Sequence, residues 1–308
     1  MEGVTVVDKP SGLSSAGVVN RVKRLLGAKR AGHTGTLDPF ATGVLAVCLS
    51  GATKAIPYMD EAFKEYEAVL RLGVLTDTLD STGKVIEQCP VEGMGEGRVL
   101  EALEGFRGKI EQTPPKYSAI KKNGRRMYWL ARHGVEVERP KREVFIEDLR
   151  LLGLDLPDIR LFIRCSRGTY IRSLGADIAE RLGCCGHVAG LRRLKSGIFD
   201  IEDAASIEEL QDGNYKLFSI RQVLSHLKDI EVGVVVAARI RDGLQVKKCF
   251  VDGLSLPDFI KGERLVVTDG GRVVSVVEAV VGAGEVEECG DDDTVLKLLR
   301  VFGGDGSD

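Results

Sequence analysis

The segment GHTGTLDPFATGVL, residues 32–45, passes from a loop rich in glycine and threonine into an apolar run. Glycine and proline interrupt regular structure, so residues 32–39 are predicted to form a loop and Val44 to Leu49 a buried strand. Asp38 is the acidic residue of this loop. An Asp-Pro pair often only shapes a turn, because the carboxylate accepts hydrogen bonds from nearby amides. The spacing alone therefore leaves a turn-forming and a catalytic Asp38 both open.

The residues before this segment predict a strand, a turn and a helix. Val4 to Val7 is a short β-branched run, and residues 8–12 carry the Pro, Ser and Gly of a turn. Ser14 or Ser15 is expected to cap a helix that ends at Gly27.

The residues after the segment predict further strands and helices. From Lys64 onward apolar and charged residues alternate, which predicts a strand with Tyr66 turned toward the core or a cleft. Residues 159–165 alternate in the same way, and helices are predicted at 98–106 and from Gly168 to Gly183. Because strands and helices mix without regular βαβ order, the predicted fold class is α+β, with a largely antiparallel mixed sheet flanked by helices.

The composition is that of an ordinary folded protein. Hydrophobic residues make up 44% of the 308 residues and charged residues 29%, which argues against disorder. The net charge of −3 excludes a uniformly polycationic nucleic-acid binder. Between Lys116 and Arg172, however, 14 basic residues face 7 acidic ones. Such a region suits phosphate contact, although solvated strand and helix faces carry the same charges.

Targeting signals and cysteine usage point to one compartment. No apolar run reaches the roughly 18 residues of a membrane span, and the chain opens without a basic leader or cleavage site. The seven cysteines are scattered and lack a C-x-x-C pair, as expected for reduced thiols. We therefore expect a cytoplasmic protein without membrane contact.

One cysteine cluster, CCGH at residues 184–187, contains two candidate metal ligands and a histidine. A four-ligand site needs further partners at suitable spacing, and the sequence offers none. The cluster is expected to be a turn after a helix with small buried thiols, and no metal site is predicted.

The pattern changes near residues 225–235, where a Val-rich, Gly-punctuated region begins. Residues 265–277, with Asp269-Gly270-Gly271 at the centre, predict a β-hairpin. We expect a catalytic domain at 1–228 with an insertion at about 110–142, a small C-terminal β-barrel at 229–303, and a frayed tail at 304–308.

Several common catalytic motifs are absent from the sequence. There is no G-x-x-x-x-G-K-[ST] phosphate loop, no H-E-x-x-H metal motif and no G-x-S-x-G nucleophile turn. The residues by themselves thus indicate an α+β protein with an acidic, Gly-rich loop and a basic middle region.

The segment at 32–45 resembles the signature loop of the TruB family of pseudouridine synthases, and other blocks resemble that family in the same order. These blocks are DKPSG at 8–12, KEY at 64–66, RLG at 71–73 with TDT at 76–78, PPKYSA at 114–119, GTYIR at 168–172 and LRR at 191–193. They extend over residues 3 to about 200. The C-terminal module resembles the PUA domain that such enzymes carry.

This resemblance implies an isomerase that converts uridine 55 in the T loop of tRNA to pseudouridine. The base must be flipped out, its C–N glycosidic bond broken and a C–C bond formed, a reaction that requires neither a cofactor nor a metal. The family's catalytic aspartate corresponds to Asp38, and its partner arginine to Arg172, whose charge favours the ionised carboxylate. Attack at C6, attack at C1′ and a glycal intermediate all remain open.

The resemblance also implies a set of substrate contacts. Tyr66 corresponds to the tyrosine that stacks on the target base, and it is also proposed to help remove the C5 proton. Tyr170 and Leu191 correspond to residues that line the base pocket, and His33 to the residue that fills the space left by flipped nucleotides. Lys9, Pro10 and Lys121 correspond to positions that support the pocket and the RNA-gripping insertion.

Two alternative functions stay open at this point. One is a tRNA-folding chaperone of the same fold, and the other is a guide-RNA-dependent synthase of the archaeal and eukaryotic type. The blocks at 71–83 and the basic insertion resemble the stand-alone bacterial type. We therefore expect the T arm of tRNA as the partner, a monomer, and no obligatory protein partner.

Overall fold

The computed structural model describes residues 1–60, 63–117, 121–122, 125–126 and 138–303, and only the backbone of 121–122 and 125–126. Twenty strands occur in these ranges: β1 Gly3–Lys9, β2 Ala31–His33, β3 Thr42–Leu49, β4 Phe63–Leu72, β5 Val74–Thr76, β6 Val85–Gln88, β7 Gly108–Gln112, β8 Lys121–Lys122, β9 Arg125–Arg126, β10 Arg142–Asp155, β11 Asp158–Ser166, β12 Gly186–Ser196, β13 Phe199–Asp200, β14 Ala204–Ala205, β15 Leu217–Phe218, β16 Lys228–Glu231, β17 Val246–Lys247, β18 Arg264–Asp269, β19 Arg272–Ala279 and β20 Thr294–Val301.

Helices are fewer and mostly short. The α-helices in the described ranges are α1 Ser15–Leu25, α2 Glu96–Glu104, α3 Ile171–Arg181, α4 Ile207–Gln211, α5 Ile220–Val223, α6 Val234–Arg241 and α7 Lys248–Val251. Within the same ranges, 3-10 helices span Ser50–Tyr58, Ile201–Asp203 and Ala283–Glu288. No helix of the described residues is long and apolar enough to span a membrane.

An eleven-stranded sheet forms the larger part of the protein. Its main path runs β14-β1-β3-β12-β4-β11-β10-β7, with β2, β13 and β15 paired at its side. The long pairs β1–β3, β4–β11, β4–β12 and β10–β11 are antiparallel, whereas β1–β14 and β3–β12 are parallel. The predicted α+β class with a largely antiparallel mixed sheet is confirmed.

The central strand β4 shows why the alternating sequence pattern was informative. Tyr66, Ala68, Leu70 and Leu72 are buried, whereas Glu67 and Arg71 on the other face are exposed. Since successive side chains of a strand point to opposite faces, this alternation gives β4 one core face. Helices α2 and α3 pack on that face and bury Val99, Leu103, Leu174 and Ile178 among other residues.

Helix α1 begins where its cap was predicted, and two other predicted boundaries were wrong. The Ser14 side chain accepts a hydrogen bond from the Gly17 amide, as an N-cap does. Helix α2 starts at Glu96 and ends before Gly105, so Phe106 packs from outside the helix. The predicted loop at 32–39 begins with strand residues, because Gly32 and His33 pair with β3.

The C-terminal region forms a separate curled sheet. Its strands run in the order β16-β18-β19-β20-β17. The predicted hairpin consists of β18 and β19, and Gly270 and Gly271 of its turn both have positive φ, as a two-residue type I′ turn requires. Strand β16 of this sheet starts at Lys228, next to the boundary that we propose at 228/229. The predicted tail at 304–308 lies outside the described residues.

The two regions share a hydrophobic cluster. Val266 and Val276 of the C-terminal sheet and Phe302 pack in one buried group with Val4 and Val6 of β1. Burial of apolar surface is the main favourable contribution to folding. The C-terminal sheet is therefore held to the central sheet by core packing.

This packing predicts a large effect of truncating Phe302, which is 3% exposed. Phe302→Ala should lower the free energy of unfolding by about 3–5 kcal/mol, because it leaves a cavity between the two sheets. Urea denaturation would measure the change. Ile260→Ala is the control: this residue is 72% exposed, and its loss should cost less than about 0.5 kcal/mol. Equal costs for the two variants would contradict the shared core.

Candidate active site

A cleft of about 250 Å³ opens at one end of the central sheet. Four parts of the chain line it: loop residues 36–38, Lys64 and Tyr66 of β4, Ser166 with residues 168–172, and Leu191 with Arg193 of β12. The cleft therefore brings together Asp38, Tyr66, Tyr170, Arg172 and Leu191. All five were singled out from the sequence.

Asp38 and Arg172 form a two-point ion pair in this cleft. Arg172 Nη2 donates to Asp38 Oδ1 at 3.1 Å, and Arg172 Nε lies 2.8 Å from Oδ2. Paired contacts between a guanidinium and a carboxylate fix the orientation of both groups. The Asp38 side chain keeps 33% exposure, whereas that of Arg172 is 4% exposed. The buried Arg172 guanidinium therefore holds the Asp38 carboxylate in an orientation in which it is accessible from the cleft.

Arg172 is held from its other side by a second carboxylate, which sequence reasoning missed. Its Nη1 lies 3.2 Å from Asp80 Oδ2 and donates to the Thr78 carbonyl at 2.9 Å, while Nη2 also donates to the Tyr117 carbonyl at 2.9 Å. Asp80 is buried, and its Oδ1 accepts from the Thr82 amide at 2.9 Å and from two threonine hydroxyls. The β5–β6 loop thus fixes the guanidinium.

The surroundings of Asp38 act on its pKa in opposite directions. Burial raises the pKa of Asp38 above its ordinary value, and the Asp80 carboxylate adds to this effect. Arg172, by charge and by hydrogen bonding, and Lys9, by charge, oppose it. The net result is a raised pKa of a carboxyl that has a cation in contact.

Tyr66 lies on β4 beside Arg193, its partner in β12. Burial raises the pKa of Tyr66 to about 12, although the Arg193 charge and a hydrogen bond to Arg193 oppose the rise. The phenol is consequently neutral at physiological pH. Its ring can stack on a planar ligand in the cleft, but a proton-accepting role is disfavoured in this state.

Arg193 is a second buried arginine that supports the loop of Asp38. It is 1% exposed, and its Nε donates to the Val44 carbonyl at 2.7 Å while Nη2 donates to the Gly35 carbonyl at 3.0 Å. These bonds connect the loop at Gly35 and strand β3 at Val44 to β12. The sequence signal was the LRR block, but only packing shows which arginine is buried.

Lys9 also supports the loop of Asp38, through a hydrogen bond to the Pro39 carbonyl, and it does not line the cleft. Its buried Nζ donates to the carbonyls of Pro10, Leu13 and Pro39 at 2.9, 2.6 and 3.1 Å. Burial lowers the pKa of Lys9 to about 8, against the opposing effect of the Asp38 charge. Pro10 itself is exposed and contributes its carbonyl.

Tyr170 is positioned by its own backbone. Its amide donates to Gln112 Oε1 at 2.7 Å, and Gln112 Nε2 donates to its carbonyl at 3.0 Å. Gln112 is completely buried at the end of β7. This pair of bonds connects β7, from which the insertion departs, to the start of α3.

Besides Lys9 and Pro10, two further predicted residues are not among those that line the cleft in the described structure. His33 lies half-buried on β2, outside the residues that line the cleft. Lys121 lies in the short strand β8, which pairs with β9. Its side chain lies outside the described residues, as do residues 118–120, 123–124 and 127–137 of the predicted insertion at 110–142. Among the described residues, no group of three or more His, Cys, Asp or Glu could hold a metal.

Comparison with known proteins identifies relatives along the whole chain. The pattern "TruB family pseudouridylate synthase (N terminal domain)" matches residues 23–171, and "tRNA pseudouridylate synthase B C-terminal domain" matches residues 172–233. "tRNA pseudouridine synthase B" of Geotalea uraniireducens is 42% identical over 100% of this chain and 99% of its own. The protein of the same name from Geobacter sulfurreducens is 43% identical over 98% of this chain and 100% of its own.

A solved structure shares the fold. The chain is similar to one in "Crystal Structure of a Cbf5-Nop10-Gar1 Complex", with a TM-score of 0.73 and 25% identity over 98% of this chain and 85% of that one. Both the sheet and the C-terminal region therefore have a counterpart in a known structure.

The electrostatics of the cleft predict opposite pKa changes in two variants. Arg172→Met should raise the pKa of Asp38 further, because it removes the contacting cation, whereas Asp80→Asn should lower it by removing a like charge. Carbon-13 NMR titration of labelled aspartates would measure both, with the exposed Asp155→Asn as control. Shifts of the same sign in the two variants would contradict the described arrangement.

The close approach of β3 and β12 predicts that Gly43 cannot carry a side chain. Its φ is +99°, and an added Cβ would overlap the Arg193 backbone carbonyl. Gly43→Ala should therefore cost at least ~2 kcal/mol of unfolding free energy. Gly97→Ala, inside α2 with open space around it, should instead stabilise by up to ~1 kcal/mol. Thermal denaturation would compare them, and a neutral Gly43→Ala would contradict this packing.

Proposed function

The chain belongs to the TruB family of pseudouridylate synthases, and we propose that it isomerises uridine 55 in the T loop of tRNA to pseudouridine. The observation that supports this proposal most strongly is the Asp38 carboxylate held by Arg172 in a cleft beside Tyr66. The relatives that match the full length carry the name of a tRNA pseudouridine synthase. The geometry of the cleft, the family match and the names of the relatives thus support the same reaction.

The reaction is a rearrangement whose atoms balance without a second substrate. The N1–C1′ bond of uridine breaks, the uracil turns while it stays in the site, and C5 bonds to C1′. C5 loses its proton and N1 ends with one, so there is no net oxidation and no group leaves. The cleft, at about 250 Å³, is slightly smaller than typical small-molecule pockets and suits one flipped nucleoside.

Asp38 is proposed to supply the essential carboxylate. It faces the cleft, and its contact with Arg172 stabilises the ionised form despite burial. This carboxylate can act at the sugar or at the base, so attack at C1′, attack at C6 and assistance through a glycal are all compatible with its position. Arg172 positions the carboxylate and compensates its charge.

The other cleft residues are proposed to hold the flipped base. Tyr66 offers a neutral ring for stacking, and Tyr170 and Leu191 line the cleft beside it. Aromatic stacking is the usual way in which proteins receive an unstacked base. Lys9 and Pro10 support the loop from below. His33 and Lys121 are proposed to contact RNA outside the cleft.

The basic region at 116–172 is proposed to contact tRNA phosphates, since lysine and arginine gain by releasing counterions from the backbone. We propose that the protein acts alone, as a cytoplasmic monomer. The alternative of action with protein partners draws on the similarity to a chain solved in a Cbf5-Nop10-Gar1 complex. The full-length match to relatives named tRNA pseudouridine synthase B favours stand-alone action.

Removing the charge of Asp38 separates catalysis from binding. Asp38→Asn should leave tRNA affinity within a few-fold of wild type and abolish pseudouridine formation, because the amide keeps the shape of the side chain without its charge. Filter binding and nucleoside mass spectrometry would measure the two properties. The exposed Asp155→Asn should retain both. Pseudouridine formation by Asp38→Asn would overturn the assignment of Asp38.

The position in tRNA requires its own experiment. A transcript with cytidine in place of uridine 55 should give no pseudouridine, whereas the unmodified transcript should give product at that nucleotide. Product mapping after carbodiimide modification would locate it. Product at another uridine would refute the site assignment, and tRNA refolding without any product would favour the chaperone alternative.

A further inference from the structure

Three cysteines meet at a place that the proposed reaction does not use. Cys89 follows strand β6, and Cys184 and Cys185 lie in the turn between α3 and β12. None of the three lines the cleft. The sequence pattern suggested a turn with two buried thiols, but it did not indicate that a third cysteine from 95 residues upstream joins them.

The sulfur atoms of Cys89 and Cys184 are close to bonding distance. The two Sγ atoms lie 3.1 Å apart, about 1 Å more than the S–S bond of a disulfide. The Cys185 amide donates to Cys89 Sγ at 2.8 Å, which fixes that sulfur beside the turn. A small rotation of either side chain would therefore suffice to join the pair.

The two thiols differ in the way that a reactive pair requires. Cys89 is partly exposed, whereas Cys184 is buried at 8% exposure. Burial opposes ionisation of Cys89, but hydrogen bonds from Cys185 and Cys184 outweigh it and lower the pKa of this thiol. Burial instead raises the pKa of Cys184. Because the thiolate is the nucleophile, Cys89 is the thiol expected to react first.

The backbone already holds the two segments together. The Gly73 amide donates to the Cys185 carbonyl at 2.8 Å, and the Cys89 amide donates to the Gly73 carbonyl at 3.0 Å. Gly73, just before β5, thus links Cys89 at the end of β6 to the turn that carries Cys185. A covalent link here would need no rearrangement of the sheet.

We propose that Cys89 and Cys184 are a reversible dithiol–disulfide site that closes on exposure to a peroxide or to a low-molecular-weight disulfide. With hydrogen peroxide, the Cys89 thiolate attacks one oxygen and becomes a sulfenic acid, while the other oxygen leaves as water after protonation. The Cys184 sulfur then attacks Cys89 Sγ, the S–S bond forms and a second water leaves. Two thiols lose two electrons, and the peroxide gains them.

With oxidised glutathione the balance is equivalent. The Cys89 thiolate forms a mixed disulfide and releases one glutathione, and Cys184 then displaces the second. The proposal is independent of the RNA reaction. The link would involve two elements. One is the β5–β6 hairpin, whose loop carries Asp80. The other is the turn that follows α3, the helix that begins next to Arg172. The link would fasten these two elements without touching the cleft.

Mass spectrometry of the full-length protein tests the link directly. After treatment with hydrogen peroxide and alkylation, tryptic peptides 85–98 and 182–192 should be joined, two hydrogens lighter than the sum of the two peptides with Cys185 alkylated, and dithiothreitol should separate them. Fragmentation should place the bond at Cys184. No joined peptide, or a bond to Cys185, would overturn the proposal.

Single variants provide the controls. Cys89→Ser and Cys184→Ser should abolish the link, whereas Cys185→Ser and the exposed Cys249→Ser should keep it. Alanine variants at 89 and 184 repeat the test where a buried hydroxyl impairs folding. Oxidation should raise the Tm of wild type by at least about 5 °C, since the link closes a long loop of the unfolded chain. An equal rise in Cys89→Ala would contradict the site.

Discussion

The arrangement of the site depends on one buried guanidinium. Arg172 contacts Asp38 on one side and Asp80 on the other, and it also donates to two backbone carbonyls. A buried charge is costly unless it is paired and hydrogen-bonded, and Arg172 meets both conditions. Without it, the Asp38 and Asp80 carboxylates would lose the cation that both of them contact. Removing one member of such a set leaves an uncompensated charge.

The central sheet positions the loop that carries Asp38, the carboxylate that Arg172 contacts. β4 and β12 bring Tyr66 and Arg193 side by side, and the register between β3 and β12 places Gly43 against the Arg193 backbone. Arg193 and Lys9 then hold the Asp38 loop through the carbonyls of Gly35 and Pro39. The loop itself has little regular structure, and these two buried cations contribute to holding it in place.

Much of the fold could be predicted from the sequence because its signals are local. Alternation over Tyr66 to Leu72 identified a strand with one buried face, and Ser14 identified the start of α1. The pairing of Asp38 with Arg172 spans 134 residues, and only the family resemblance predicted it. Asp80 and Arg193 escaped prediction because burial of a charged side chain has no local pattern. The strand β2 escaped for a related reason, since its pairing with β3 is tertiary.

Tritium release from uridine C5 shows directly whether this chain alone isomerises a tRNA uridine. The substrate is an unmodified tRNA transcript labelled at C5 of uridine, incubated with the purified wild-type protein and no guide RNA or other protein. Release of one tritium per tRNA is the predicted result. No release while tRNA binding is intact would mean that the protein does not isomerise tRNA on its own.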